Sequence, residues 1–249
     1  MIIERVKRKI EANLCIVPQS TPIVYFGNYD TSKACTISLN PSNKEFTDRS
    51  NILLDHKNKE RLCSRKRLKK QDIDELTDAE AELVLKYCTN YFNLRPYTLW
   101  FDTFNYFIEQ YGNYSYYKGS CVHLDLVQWA TSKKWNALSP DTRHKHLNND
   151  LPVLKYLLNK DFETMFLNGS TVVNNIAECL SINLKSKTVL FTTVNNINRE
   201  LVIYYGNYNK TNVIGWNLYL QSAAVGGNEN KRVLCELIKK HIPNSMKEN

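Results

Sequence analysis

The chain has 249 residues, a hydrophobic fraction of 43% and a formal net charge of +8. That length and apolar content suit a folded domain with a substantial core and exclude a disordered or fibrous chain. No apolar run is long enough to cross a bilayer, and the charged opening MIIERVKRKIEANL does not fit a secretory signal, so a cytoplasmic protein is expected. The 7 cysteines (Cys15, Cys35, Cys63, Cys88, Cys121, Cys179, Cys235) are odd in number and widely scattered. Such spacing speaks against a disulfide framework, a zinc knuckle or an iron–sulfur cluster, and no cofactor or metal is expected.

The opening segment reads as a short amphipathic helix with Ile3, Val6 and Ile10 on one face. PIVYFGNYD and KACTISLNPS follow as two β-runs. Residues 47–72 carry no periodic signal and read as a long basic loop. Within it, RLCSRKRLKK (residues 61–70) concentrates basic residues with no acidic one, a footprint for a polyanion or, equally, a solvated loop. LTDAEAELVLKYCTNYF has Thr77 and Glu80 in capping-box spacing, with Leu83, Val84, Tyr87, Cys88 and Tyr91 at helical intervals. YTLWFDTFNYFIEQYG repeats that pattern through Trp100, Phe104, Phe107, Ile108 and Tyr111. CVHLDLVQW is a strand of buried type, and SPDTRHKHLNNDLPVLKYLLN a helix broken at Pro152. FETMFLNGSTVVNNIAECL reads as strand, turn and helix. KTVLFTTV, ELVIYYG and NVIGWNLYL are β-runs, the last two joined by the turn NYNKT, and NENKRVLCELIKKHI closes as an amphipathic helix. Alternating strands and helices favour a parallel sheet covered on both faces. No linker interrupts the order, so residues 1–249 read as a single domain with a basic insertion at 47–72.

In TISLNPSNKEF the strand stops at Asn40, which Pro41 holds out of helical geometry. Its amide is expected to project from the carboxyl end of the strand, where open α/β sheets bind ligands. This stretch resembles the first motif of the uracil-DNA glycosylase superfamily, whose members carry G-Q-D-P-Y-H, G-I-N-P-G or G-M-N-P-G after the first core strand. VHLDLVQW resembles the family's second strand, with Asp125 at the place of the base-reading Asn and Val127 two positions on. ETMFLNGSTVVNNI is similar to its strand, glycine turn and helix. NLYLQSAAVGG stands where the second motif (H-P-S-P-L-S or N-P-S-G-L-S) is found, with Asn217 at the His/Asn position, Ser222 at the last Ser, and Leu218, Tyr219 and Leu220 in place of Pro-Ser-Pro. The resemblance covers roughly residues 20 to 240 of a chain of single-domain size, and leaves 47–72 unexplained. It implies a three-layer α/β/α fold with a central, mostly parallel four-stranded sheet, acting on DNA; the sequence gives no oligomeric state, and a monomer is the default expectation.

What the family does implies roles for these residues. A glycosylase flips a nucleotide out of the duplex and cleaves its N-glycosidic bond. Asn40 would hold the attacking water, Asn217 would donate to the base O2, and Phe46 would stack on the base; strand-end capping or core packing are the structural alternatives for all three. Asp125 and Ser42 depart from the uracil-specific pattern. An ionised Asp125 only accepts hydrogen bonds, which suits the cytosine N4 amino group. Ser42 replaces a tyrosine that blocks the pyrimidine 5-position. Together they point to a cytosine with a bulky 5-substituent, hydroxymethylated or glucosylated, as in phage DNA, and hence to antiviral defence. A protonated Asp125 would instead read uracil, as in base excision repair, and a catalytically inactive DNA-binding member of the fold is the further alternative. Arg65, Lys66, Arg67, Lys69, Lys70, Lys133 and Lys134 are the expected phosphate contacts, with Gln221 or Leu220 as the plug that fills the gap in the duplex and Ser222 beside it. His123 and Asp125 share a strand face as half of a metal site at most, and His144 and His146 read as surface residues or phosphate contacts.

Overall fold

The protein is described by a computed structural model covering residues 1–55 and 59–246. The helices are α1 (Ile2–Lys7), α2 (Asp78–Thr89), α3 (Thr98–Gly112), α4 (Pro140–Leu157), α5 (Ser170–Leu180) and α6 (Asn228–His241). The strands are β1 (Ala34–Ser38), β2 (Cys121–Asp125), β3 (Thr164–Asn168), β4 (Lys185–Thr192), β5 (Asn198–Tyr208) and β6 (Thr211–Trp216). They form one mixed sheet of six strands, in the order β2-β1-β3-β6-β5-β4, flanked by helices. The α/β class is as expected, but the sheet is larger and more mixed than four parallel strands. β1, β3 and β6 run parallel, whereas β5 is antiparallel to both β6 and β4. The tight turn between β5 and β6, with Asn209 at φ 52°, forces that reversal. By contacts the chain divides into two compact units, Met1–Asp30 with Ser38–Tyr97 and Val122–Lys160, and Thr31–Ile37 with Thr98–Cys121 and Asp161–Asn249.

In the first unit the capping box forms as read: Thr77 Oγ1 accepts from Glu80 N–H, and the Glu80 carboxylate accepts from Thr77 N–H at 2.8 Å. The N-terminal helix is shorter than its periodicity, ending at Lys7, yet it buries Val6 against the unit. PIVYFGNYD is not a regular strand; it touches the sheet at one bridge, Phe26 to His123. α4 runs through Pro152 instead of stopping there. An interior proline costs about 3 kcal/mol, and burial of Val153, Leu154 and Leu157 beyond it, at about 1.5–3 kcal/mol each, outweighs that. His146 lies buried on this helix, its Nε2 2.9 Å from the Leu14 carbonyl, and is neither a surface residue nor a phosphate contact; His144 is exposed. Arg5 and Asp150 form a fully buried ion pair, with the Arg5 guanidinium 5.2 Å over the Trp129 ring. An apolar cluster of Leu14, Ile16, Val127, Trp129, Trp135 and Leu138 completes the unit's core.

The second unit is built on an aromatic core. Phe107 lies 4.4 Å from the Trp216 ring and packs edge-on to Phe166, which also meets Tyr111. Phe104, Phe107, Ile108 and Tyr111 face inward from α3, as their spacing predicted, whereas Trp100, expected on the same face, is only half-buried. Gly215 lets α5 approach β6: a Cβ there would stand 2.8 Å from Val173 Cγ2. Gly169, at φ +95°, makes the turn from β3 into α5 that an L-residue resists. Buried Asn168 ends β3 and organises the stretch after β6. Its Oδ1 accepts from Trp216 Nε1 and Leu220 N–H, both at 3.0 Å, and its Nδ2 donates to Gln221 Oε1 at 2.9 Å. Truncation by Asn168→Ala strands the indole and amide donors, at about 1–3 kcal/mol each. Urea denaturation should therefore show a loss of roughly 2–4 kcal/mol, and an unchanged midpoint would contradict this account of the turn.

Candidate functional site

The site lies in the first unit, where the chain leaves β1 and β2. Leu126 N–H donates to the Ser38 carbonyl and Val127 N–H to the Leu39 carbonyl, both at 2.9 Å. These bonds run the segment carrying Asn40 alongside the end of β2, which carries Asp125. Strand alternation puts His123 and Asp125 on one face of β2. Asn40 is half-buried. Its Nδ2 donates to Thr131 Oγ1 at 2.8 Å and to the Pro41 carbonyl at 3.1 Å. Thr131 is itself fixed, donating to the Lys133 carbonyl at 2.6 Å. The carboxamide is therefore held by its nitrogen, and among the described residues its Oδ1 accepts no hydrogen bond. A rigid acceptor of this kind can hold the hydrogen of a water molecule or a hydroxyl.

Asp125 is 2% exposed, and neither carboxylate oxygen has a hydrogen-bond partner among the described residues. The nearest cationic candidate is His123, whose Nε2 stands 3.6 Å from Asp125 Oδ1, too far for a good hydrogen bond. The His123 ring lies 5.4 Å from Phe26, and Phe26 packs edge-on to Tyr91. An acceptor buried with nothing to accept from costs about 1–3 kcal/mol, more when charged. Two adjacent N–H donors on a ligand would remove that cost.

A second acid of the site went unread in the sequence. Glu45 closes the 3-10 turn Asn43–Glu45 that follows Pro41 and is 3% exposed. Tyr91 Oη donates to its Oε2 at 2.6 Å, and Tyr91 Oη accepts from Tyr97 N–H at 2.8 Å. Burial pushes the Glu45 carboxyl up from 4.5 to about 7; the Asp125 charge adds to the rise, while the Tyr91 hydrogen bond and Arg61 oppose it. The only sequence signal was an acid wedged between a turn and Phe46. The partner that explains it, Tyr91, is remote in the chain.

Other expected residues have different surroundings. Ser42 is exposed and caps the 3-10 turn, its Oγ accepting from Lys44 N–H. Phe46 is buried in the core, the packing alternative to a stacking platform. Arg65 is fully buried: Nε donates to the Ser20 carbonyl at 3.1 Å, Nη1 to the Gln71 and Asp74 carbonyls, and Nη2 to Arg8. It staples the segment to the unit, with four of its five N–H donors spent on backbone carbonyls and the side chain buried away from any phosphate at the surface. Lys66 pairs with Asp55, Arg67 with Glu60, and Lys70 with Glu80. Lys69, Lys133 and Lys134 are exposed, and the last two directly follow Thr131 and Ser132. The described part of the basic segment, residues 47–55 and 59–72, holds no helix or strand, as expected of a loop, but Leu62, Cys63, Ser64 and Arg65 anchor it inside.

Asn217, Gln221 and Ser222 belong to the second unit. The Asn217 carboxamide is engaged by the β5 backbone, with Oδ1 accepting from Val202 N–H at 2.9 Å and Nδ2 donating to the Glu200 carbonyl at 3.1 Å. This is the strand-end arrangement that the sequence allowed as the alternative to a base contact. Gln221 is held at both ends, by Asn168 and by the Trp100 carbonyl at 3.2 Å. Ser222 opens a turn, its carbonyl accepting from Val225 N–H and Gly226 N–H. All 7 cysteines are free thiols. Among the described residues no group of three or more His, Cys, Asp or Glu is placed to hold a metal, and no helix is long and apolar enough to cross a membrane. No family model, curated protein or solved structure matches this chain.

The raised carboxyl of Glu45 carries a stability signature. Below its unfolded value of 4.5 both states hold the proton and nothing is lost. As pH rises from 4.5 to about 7 the unfolded chain ionises first, so folding stability falls, levelling off at a penalty on the order of 3 kcal/mol. Glu45→Gln should remove that decline when unfolding free energy is followed by urea titration across this window; a parallel decline in the variant would contradict it.

Proposed function

We propose that this protein is a DNA glycosylase that hydrolyses the N-glycosidic bond of a flipped-out pyrimidine and leaves an abasic site, with 5-hydroxymethylated or glucosylated cytosine as its preferred base. The observation that carries the reading is the buried Asp125 carboxylate with two unmet oxygens. Cytosine presents an N4 amino donor, and with N3 protonated it offers two adjacent N–H groups that a carboxylate accepts together. Uracil offers O4 at the same edge, an acceptor facing an acceptor. Discrimination of about 1–3 kcal/mol per good pair follows from that mismatch.

Asn40 supports the same reading. An amide is no strong base, but bond breaking leads in an oxocarbenium-like pathway, and the reaction then needs a water held in line with C1′. The fixed Nδ2 and the open Oδ1 of Asn40 suit that task. The likeness of TISLNPSNKEF and VHLDLVQW to the uracil-DNA glycosylase superfamily gives these two residues the same two roles. Ser42, small and exposed, leaves space for a substituent on the pyrimidine 5-position. The net charge of +8, with exposed Lys69, Lys133 and Lys134, suits a phosphate backbone, and modified phage DNA is the natural source of such bases.

Mass spectrometry of bases freed from duplexes carrying uracil, mispaired thymine, or 5-substituted cytosines tests the proposal. The wild type should release the substituted cytosines first. Asn40→Ala should lower turnover about 100-fold or more while duplex affinity is kept, and Asp125→Asn should swing preference towards uracil. Preference of the wild type for uracil would overturn the choice of base. Retained turnover in Asn40→Ala would overturn the mechanism. For the backbone contacts, Lys133→Ala with Lys134→Ala should weaken binding to all duplexes alike and reduce the salt slope of log K by about 2; an unchanged slope would remove these lysines from the interface.

A further inference from the structure

The proposed reaction needs a proton, and the acceptor role proposed for Asp125 leaves it none to give. Glu45, a buried acid of the same unit, is the candidate donor. Glu45 sits on the turn that follows Asn40 and Pro41, and Tyr91 Oη locks its Oε2 in place. Among the described residues Oε1 makes no hydrogen bond. The charged and titratable groups that face Glu45 are Tyr91 beyond α2, Arg61 from the basic segment, and Asp125 from β2, which is flanked in turn by His123. Burial, with the Asp125 charge as a smaller cause, raises the Glu45 carboxyl, so its proton is held up to about 7. Asp125, with His123 Nε2 3.6 Å from its Oδ1 and no hydrogen bond to either oxygen among the described residues, suits a cationic ligand; Glu45 can make the ligand cationic.

We propose that Glu45 is the catalytic acid of the site and delivers its proton to N3 of the cytosine held on Asp125, an assignment that rests on the glycosylase reading. The Glu45 O–H bond breaks and an N3–H bond forms, giving a base that Asp125 grips through both N–H groups. The C1′–N1 bond then breaks, its electron pair passes to N1, and the protonated ring departs as neutral cytosine. The oxygen of the water held by Asn40 bonds to C1′. The proton this water sheds returns to the Glu45 carboxylate, so water and the N-glycoside become free base and a sugar hydroxyl, with Glu45 restored. A carboxyl that still holds its proton near neutrality is suited to this duty, and activity should fall as pH rises through about 7.

The test is single-turnover kinetics of base release from a 5-hydroxymethylcytosine duplex, from pH 5.5 to 9, with the full-length protein. Glu45→Gln keeps the shape and the Tyr91 contact; it should lower the rate constant by about 100-fold or more, leave duplex affinity in place, and erase the decline above pH 7. Tyr91→Phe keeps Glu45 but removes a bond that favours its ionised form, so the decline should move to higher pH with a smaller loss of rate. An active Glu45→Gln with the wild-type pH profile overturns the assignment and leaves the glycosylase reading intact. Should Glu45→Gln fail to fold, an unmoved profile in Tyr91→Phe overturns it instead. No release by the wild type from any duplex overturns the glycosylase reading and this assignment with it.

Discussion

A carboxylate sealed from water needs donors, and among the described residues neither oxygen of Asp125 accepts a hydrogen bond. Several other strongly polar groups in the core of its unit are provided for, although among the described residues Trp135 Nε1 and His146 Nδ1 likewise lack a hydrogen bond, as do both oxygens of the ion-paired Asp150. Arg65 is spent on four backbone carbonyls, Arg5 is paired with Asp150, and Glu45 receives the Tyr91 hydroxyl. Leaving both oxygens of one buried acid open costs stability that a purely structural residue at the end of β2 would not forfeit; a hydrophobic side chain would pack there without penalty. The cost is intelligible if a ligand brings the donors. Under the proposed function, that imbalance points to a ligand edge rich in N–H groups.

The rest of the first unit reads as the means of holding that acid and its neighbours still. The bonds from Leu126 to Ser38 and from Val127 to Leu39 fix the two strand ends side by side. Thr131 bridges the return segment to the Asn40 amide and to the backbone of Lys133. The segment rich in basic residues is tied down by Arg65, which leaves Lys69 among its exposed charges. In the proposed reaction, groups held in this way would not need to reorganise, which is where electrostatic catalysis gains most. The contrast between the two acids matters as well. Glu45, its carboxyl pushed up by burial to about 7, receives the Tyr91 hydroxyl, whereas neither Asp125 oxygen accepts a hydrogen bond among the described residues.

Local signals were legible and remote ones were not. The Thr77–Glu80 capping box, the inward stripe of α3 and the β5–β6 turn each depend on residues a few positions apart, and each formed as read. PIVYFGNYD looked like a strand because its composition is right, but pairing is a property of the partner, and only Phe26 found one. Pro152 looked like a break because its local cost is visible, whereas the burial of Val153, Leu154 and Leu157 that overrides it is not. Arg65 and His146 looked solvent-facing because charge usually is; their acceptors come from distant segments. Within the candidate site, Asn40 and Asp125 were found because each ends a recognisable strand. Glu45 was missed because nothing in NKEF announces a tyrosine that lies beyond the following helix.

The central claim is that Asp125 grips the amino edge of an everted cytosine. A crystal structure of the protein with a duplex carrying a non-hydrolysable 2′-fluoroarabino analogue of 5-hydroxymethylcytidine examines it directly. The account predicts the base out of the stack with N3 and N4 each about 2.7–3.2 Å from an Asp125 carboxylate oxygen. A base still stacked in the duplex, or everted against other side chains with the Asp125 oxygens unmet, would contradict it.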